Sequence, residues 1–137
     1  MSSEWGVGDF IAISALAIKV YTAYRDAPDD YRRISEEVVV LQILINTVAQ
    51  HFKRIPIDSH DRHDGHKALK DCQNVLEDLN SLIDKYKRLT STNKRFVSAR
   101  VRIGKEDVVA LRIRLISNTV LLNGFIRRFD IPGTTLH

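Results

Sequence analysis

Three histidines, His60, His63 and His66, stand three residues apart, with Asp58, Asp61 and Asp64 before and between them. Imidazole nitrogens are common zinc ligands, and three-residue spacing on a helix brings two of them toward one face. A closed zinc site needs a fourth ligand, and none stands in register with the string. The stretch from Asp58 to Gly65 has the make-up of a solvated polar loop, so neither a metal nor a cofactor is expected there. Two carboxylate pairs, Glu36 with Glu37 and Glu77 with Asp78, are the candidates for acid–base work. Sequence neighbours point about 100° apart on a helix, so neither pair can share a substrate. The chain carries no G-x-S-x-G, P-loop, G-x-G-x-x-G or H-E-x-x-H pattern, and Gly6-Val7-Gly8 is too short to cradle a phosphate. The expectation is a protein that is not an enzyme and takes no small-molecule substrate.

Charge is the next candidate. Ten of the 21 Lys and Arg residues lie between Lys85 and Arg114, against two of the 17 acids, so the net charge of +4 is polarised rather than spread. Lys94, Arg95, Arg100, Arg102, Lys105, Arg112 and Arg114 form the candidate basic patch, facing lipid or a partner. Anionic lipid headgroups reward such a patch with roughly 1 kcal/mol per contacting base. An acidic protein face suits it as well, and a plain solvated face explains it too. Nucleic acid is disfavoured: the interleaved aromatics are sparse (Tyr86, Phe96) and no recognition motif appears. Substituting Arg100, Arg102 and Arg112 is expected to shift stability by less than about 0.5 kcal/mol, as for exposed charges.

Helices must position these residues. The chain has 137 residues, 44% hydrophobic and 28% charged, which suits one globular domain. Six glycines and three prolines are too few for an all-β sandwich, and the single Cys72 excludes an internal disulfide. The apolar run from Phe10 to Ile18 is closed by Lys19, short of the roughly 20 residues a membrane span needs. With no basic start before it, the expected location is cytoplasmic.

Apolar residues recur at helical steps nearly throughout. Phe10, Ile13, Ala17, Val20 and Tyr24 mark one side of a first helix that is apolar almost all round. Tyr31, Ile34, Val38, Leu41, Ile45, Val48 and Phe52 keep alternating steps of three and four, which outvotes the strand-like Val38-Val39-Val40. Leu69, Cys72, Leu76, Leu79, Ile83 and Tyr86 place the thiol on a core stripe. Val108, Leu111, Leu115, Leu122, Phe125 and Phe129 mark the last stripe, with Asn118 where an apolar residue belongs; a polar residue there fixes register or oligomer state at some cost in stability. Pro28, Pro56, the capping run Thr90-Ser91-Thr92-Asn93, Gly104 and Pro132-Gly133 punctuate the chain. The spacing predicts helices over about 7–26, 28–54, 64–89, 92–102 and 105–130. The fold expected is all-α: an antiparallel four-helix bundle, with an additional short helix before the last long helix.

Several strings resemble a known family. Gly8-Asp9-Phe10-Ile11-Ala12, Asp26-Ala27-Pro28, Tyr31, Ile34-Ser35-Glu36-Glu37-Val38 and Leu41 are similar to the opening of a fungal N-terminal domain. That domain precedes NACHT or ankyrin-repeat regions in fungal STAND receptors, the NLR-like proteins, and stands near the HeLo-like helical bundles. Cys72, Val75-Leu76, Leu79, Leu82, Lys85-Tyr86, Glu106-Asp107, Leu111-Arg112, Arg114, Ile116-Ser117-Asn118 and Leu121-Leu122-Asn123 continue the resemblance, which spans about Gly6 to Phe129. It implies a signalling or effector module of innate immunity or programmed cell death, of the heterokaryon-incompatibility type. The implied mechanism is oligomerisation, then membrane targeting through the apolar N-terminal helix, with recruitment to the plasma membrane on activation. Phe10, Ile11, Ile13, Leu16, Ile18 and Val20 would be the effector residues. Two departures stand out: no nucleotide-binding region follows Phe129, so an excised domain and a standalone relative both stay open, and the polar segment from Pro56 to Gly65 has no family role. The alternative is a non-lytic interaction bundle that self-associates or binds a helical partner. Burial in a bundle core explains the apolar first helix as well.

Overall fold

The computed structural model of the chain describes residues 7–27, 29–54, 59–92 and 97–134, and the side chains of 8–27, 31–52, 61–88 and 107–128. It is all-helical: α1 (Val7–Arg25), α2 (Asp29–Arg54), α3 (Ser59–Thr92) and α4 (Val97–Thr134), with no strand among the described residues. Helix α1 opens with Asp9 in its first turn and closes with Arg25 in its last, each complementing the helix dipole. Beyond it the amide of Ala27 donates to the Tyr24 carbonyl, tightening the exit toward α2.

Four boundaries differ from the sequence expectation. Helix α3 continues past Leu89 to Thr92, and α4 continues past 130 through Pro132-Gly133 to Thr134, so those residues do not stop it. The other two lie at the start of α3 and at Gly104. Helix α3 begins at Ser59, so most of the presumed polar loop is its first turns, with Asp61 supplying first-turn negative charge. Polar composition had pointed to a loop, but a helix can begin with a wholly polar stretch when its later turns are anchored in a core. The short helix at 92–102 and the long one at 105–130 are a single element, α4, which runs through Gly104 without a break. One glycine costs a helix about 1 kcal/mol, too little to end one that many packing contacts hold. Glu106 and Asp107 therefore lie inside α4, not in its first turn. Pro28, Pro56, Lys94 and Arg95 lie outside the described residues.

Each helix contributes its expected stripe to one core. Ile13, Ala17, Val20 and Tyr24 of α1 meet Ile34, Val38, Leu41, Ile45 and Val48 of α2, Leu69, Cys72, Leu76, Leu79 and Ile83 of α3, and Leu115 and Leu122 of α4. Helix α1 packs on α2 and on α3, and α4 on α3 and on α2. Helices α2 and α3 barely touch, and α1 does not reach α4 among the described residues. The order around the core is thus α1, α2, α4, α3, and each helix has a side turned outward.

Aromatic contacts tie the helices at two levels. Tyr31 packs edge-on to Tyr24 at 6.0 Å and to Tyr86 at 4.8 Å, and the Tyr24 hydroxyl donates to the Leu79 carbonyl at 2.6 Å. At the other level Phe52 is the hub, with Phe10 at 5.7 Å, His66 at 5.7 Å and Phe125 at 6.4 Å. Gly65 of α3 is buried beneath it. A Cβ added there would lie 2.7 Å from Cζ of Phe52 and 2.9 Å from Cζ of Phe125, closer than carbon atoms approach without displacement. The glycine lets two rings close over the backbone of α3. Gly124 of α4, by contrast, has open space where a Cβ would stand.

The two glycines should therefore respond with opposite sign. Gly65→Ala should lower stability by about 1–2 kcal/mol, because overpacking outweighs the gain in helix propensity. Gly124→Ala should raise it by about 0.5–1 kcal/mol. Urea unfolding of both variants at low protein concentration measures the two shifts, and equal effects would contradict the contact at Gly65.

Candidate functional site

The six residues proposed for the effector helix do not form one surface. Ile13 and Val20 are fully in the core, and Phe10 and Leu16 pack partly buried against it. Only Ile11 (65% exposed) and Ile18 (50%) face outward, two turns apart on the same side of α1. Ser14 between them donates from Oγ to Oδ1 of Asn46 on α2 at 3.2 Å, a further tie of α1 to its neighbour.

The basic region is split as well. Arg112 reaches across from α4 to Glu37 of α2 in a two-pronged pair, Nε to Oε1 at 2.9 Å and Nη2 to Oε2 at 2.8 Å. This pair is half-buried, with side-chain exposures of 33% and 23%. The guanidinium of Arg112 is raised further above its ordinary pKa, first by the hydrogen bond to Glu37 and also by that carboxylate's charge. Arg114 pairs with Asp78 of α3, Nη1 to Oδ2 at 2.6 Å. The expectation that Arg112 is a plain surface charge is corrected: it ties α4 to α2 through a half-buried pair, while its neighbour Arg114 bridges α4 to α3 through an exposed one. The side chains of Arg100, Arg102 and Lys105 lie outside the described residues, as do Lys94 and Arg95.

The carboxylate pairs diverge as adjacent helical positions must. Glu37 and Asp78 enter these ion pairs, while Glu36 and Glu77 are exposed. His63 is exposed, whereas His66 is half-buried against Phe52; the side chain of His60 is outside the described residues. No group of three His, Cys, Asp or Glu side chains that could hold a metal occurs among the described residues. A groove of about 580 Å³ runs between α3 and α4, lined by Asp64, Asp71, Asn118, Leu121, Phe125 and Arg128 among others. Arg128 sits over the Phe125 ring and pairs with Asp61 at 3.3 Å and Asp64 at 3.6 Å. Asn118 spends its amide on the fold, donating from Nδ2 to the Asp71 carbonyl at 3.2 Å. The contact crosses from α4 to α3, so it bears on helix register, one of the two roles open to a polar residue at that place.

Among the described residues, five of the nine exposed large apolar side chains lie on α4, and none of the five was among the sequence candidates. Val109, Ile113, Ile116 and Val120 are 47–64% exposed, with Leu121 beside them. Their steps of four, three and four place them in one stripe on the side of α4 opposite Leu111, Leu115 and Leu122. Helix α2, next to α4, exposes Val40 and Ile43. A signal was present in the sequence: α4 carries a second apolar register offset from the one assigned to the core. Periodicity does not say which of two apolar faces a bundle will bury.

Two measurements test this account. A double-mutant cycle on Glu37→Ala and Arg112→Ala should give a coupling of about 1–2 kcal/mol that shrinks with added salt, more than an exposed pair gives. Additive effects would mean that the pair does not link α2 to α4. The second concerns the thiol: burial, and then the nearby Asp71, push Cys72 up to about 12. The unfolded thiol ionises near pH 8.5, so the unfolded chain gives up a proton that the folded chain keeps. Stability is then complete below about pH 8.5 and declines as pH rises toward 12. Tyr24, raised by burial and by Tyr31 and Asp84, declines in the same direction at higher pH. Cys72→Ala should flatten the first part of that decline, and native Cys72 should resist thiol reagents until the chain unfolds. Rapid labelling of the native protein would contradict its burial.

Compared with family models, with curated proteins and with solved structures, the chain finds no match in any of the three.

Proposed function

We propose that this chain is a non-catalytic signalling or effector bundle of the kind that opens fungal NLR-like receptors, and that it works by association through the outward face of α4. The observation that carries the reading is the stripe Val109, Ile113, Ile116 and Val120, exposed on a helix whose other side is already seated in the core. Exposed apolar patches of several hundred Å² on a soluble bundle mark interaction surfaces. The strings from Gly8 to Leu41 and from Cys72 to Asn123 support the choice of family, and the helical bundle is compatible with it.

The same reading takes consecutive helices as antiparallel. The pairs Phe10–Phe52 and Tyr24–Tyr31 support this for α1 and α2, and Arg114–Asp78 and Arg128–Asp61 for α3 and α4. Helices α2 and α4 then run in the same direction, in keeping with Glu37–Arg112 and Phe52–Phe125.

Work at a cytoplasmic membrane surface is the second reading, and one observation favours it. Asp107–Arg128 is 22 residues long and apolar enough to cross a membrane, with most of it outside the core. At 1.5 Å per residue that is about 33 Å, enough for a hydrocarbon layer of about 30 Å. Arg112 and Arg114 oppose full insertion, because each would cost about 2.5–3.5 kcal/mol near mid-membrane and forfeit its carboxylate. Helix α1 is less suited to the effector role, since freeing it means pulling Ile13, Ala17, Val20 and Tyr24 out of the core. Association on the surface of the intact bundle needs neither step.

Sedimentation of the full chain and flotation with anionic phosphatidylserine vesicles test the proposal together. Wild type should associate in at least one assay, and Ile113→Glu should abolish that association while helical circular dichroism and melting temperature stay unchanged. Wild type inert in both assays, or Ile113→Glu behaving like wild type, would overturn it.

A further inference from the structure

Resting on the reading of α4 as the working surface, we infer that this surface extends onto α2 and receives an amphipathic helix of another protein, aliphatic along one side with an asparagine or glutamine in the middle of that side. The Glu37–Arg112 pair fixes which sides of α2 and α4 meet. Residues three or four apart share a helix face, so Val40 stands one turn beyond Glu37, and Val109 and Ile116 stand one turn to either side of Arg112. Exposed Ile43 continues the row of α2, and exposed Ile113 and Val120 continue the row of α4. Two aliphatic rows on neighbouring helices thus flank one half-buried ion pair.

Two such rows receive a third helix, whose own row at steps of three and four fills the groove between them. The area suits a helix. At roughly 150–200 Å² for a fully exposed aliphatic residue, the six side chains offer about 500–600 Å² of apolar surface. A standard interface covers about 800 Å² per partner, of which about 450–520 Å² is apolar.

The ion pair dictates what the cover must carry. Arg112 uses Nε and Nη2 on Glu37, and its Nη1 makes no hydrogen bond among the described residues. Covering the groove takes that nitrogen out of water, and a buried donor without an acceptor is penalised. Lipid chains and an all-aliphatic helix supply no acceptor. A carboxylate would add negative charge beside Glu37 and the exposed Glu36, and a basic side chain would repel Arg112. A carboxamide is neutral, accepts from Nη1 through its oxygen and donates to Glu37 through its nitrogen. The exposed rows of this chain offer no amide flanked by aliphatics. The α4 row is aliphatic throughout, and Glu36, Thr47 and Gln50 stand at the ends of the α2 row. A second copy is therefore the poorer cover, and Glu36 also opposes an anionic membrane. Without the partner the bare face meets its own kind weakly.

A displayed library of amphipathic helices of about 20 residues, about 30 Å long, tests the inference. One side carries varied aliphatic residues, and its middle position carries every residue type. Selection on the full chain should yield peptides in which Asn or Gln at the middle position binds about tenfold more tightly than Leu in the same peptide. Ile113→Glu should bind none of them while its circular dichroism and melting temperature remain those of wild type. On the double variant Glu37→Leu with Arg112→Leu, the preference should pass to Leu. In sedimentation, a selected peptide should convert self-associated wild type into a one-to-one complex. Leu preferred on wild type, or the amide still preferred on the double variant, would overturn the inference. Wild type that associates through Ile113 but selects no peptide would overturn the partner helix and leave the α4 reading standing. Wild type that selects no peptide and is inert with itself and with anionic vesicles would overturn both.

Discussion

Helix α4 has apolar residues on two opposite sides and only one core in which to bury them. Leu111, Leu115 and Leu122 enter that core, so Val109, Ile113, Ile116 and Val120 must face outward. The choice between the two sides is held by polar contacts as much as by packing. Arg112 grips Glu37 of α2, Arg114 grips Asp78 of α3, and Asn118 donates to the Asp71 carbonyl. Rolling α4 about its axis would break all three contacts and take Arg112 and Arg114 away from their carboxylates, with the half-buried Arg112–Glu37 pair the larger loss. The outward stripe follows from these constraints.

The rest of the bundle resists rearrangement for related reasons. Phe52 gathers Phe10, His66 and Phe125 around the bare backbone of Gly65, and Tyr31 gathers Tyr24 and Tyr86 at the other level. Releasing α1 would disturb both clusters and expose four core residues. A helix tied in this way is a poor candidate for an element that moves freely. A face already in solvent costs nothing to present, which is why the proposed function rests on α4 and not on α1.

Much of the core was legible from periodicity. The stripes of α1, α2 and α3 bury nearly every residue they named, including Cys72, because residues at steps of three and four share the face turned to the core, although α1 and α2 leave Ile11, Ile18, Val40 and Ile43 outside it. Boundaries were less legible. The polar residues after Ser59 and the lone Gly104 carry local signals for a loop and a break, but continuation of the helix is decided by packing farther along it. The His string illustrates the same limit, since His66 packs half-buried against the Phe52 ring while His63 is exposed.

The order of apolar residues along the chain was enough to specify an all-helical chain and the stripe that each long helix gives to the core, though not that the short helix expected at 92–102 continues into the last long one. It also placed the members of each adjacent carboxylate pair about 100° apart on their helix. Only the tertiary structure decided where the charged residues end up, because Glu37 and Arg112 are 75 positions apart and meet only once α2 and α4 lie side by side. It likewise decided which apolar face of α4 remains in solvent. Periodicity measures the separation of faces within one helix, whereas burial depends on which neighbours that helix finds.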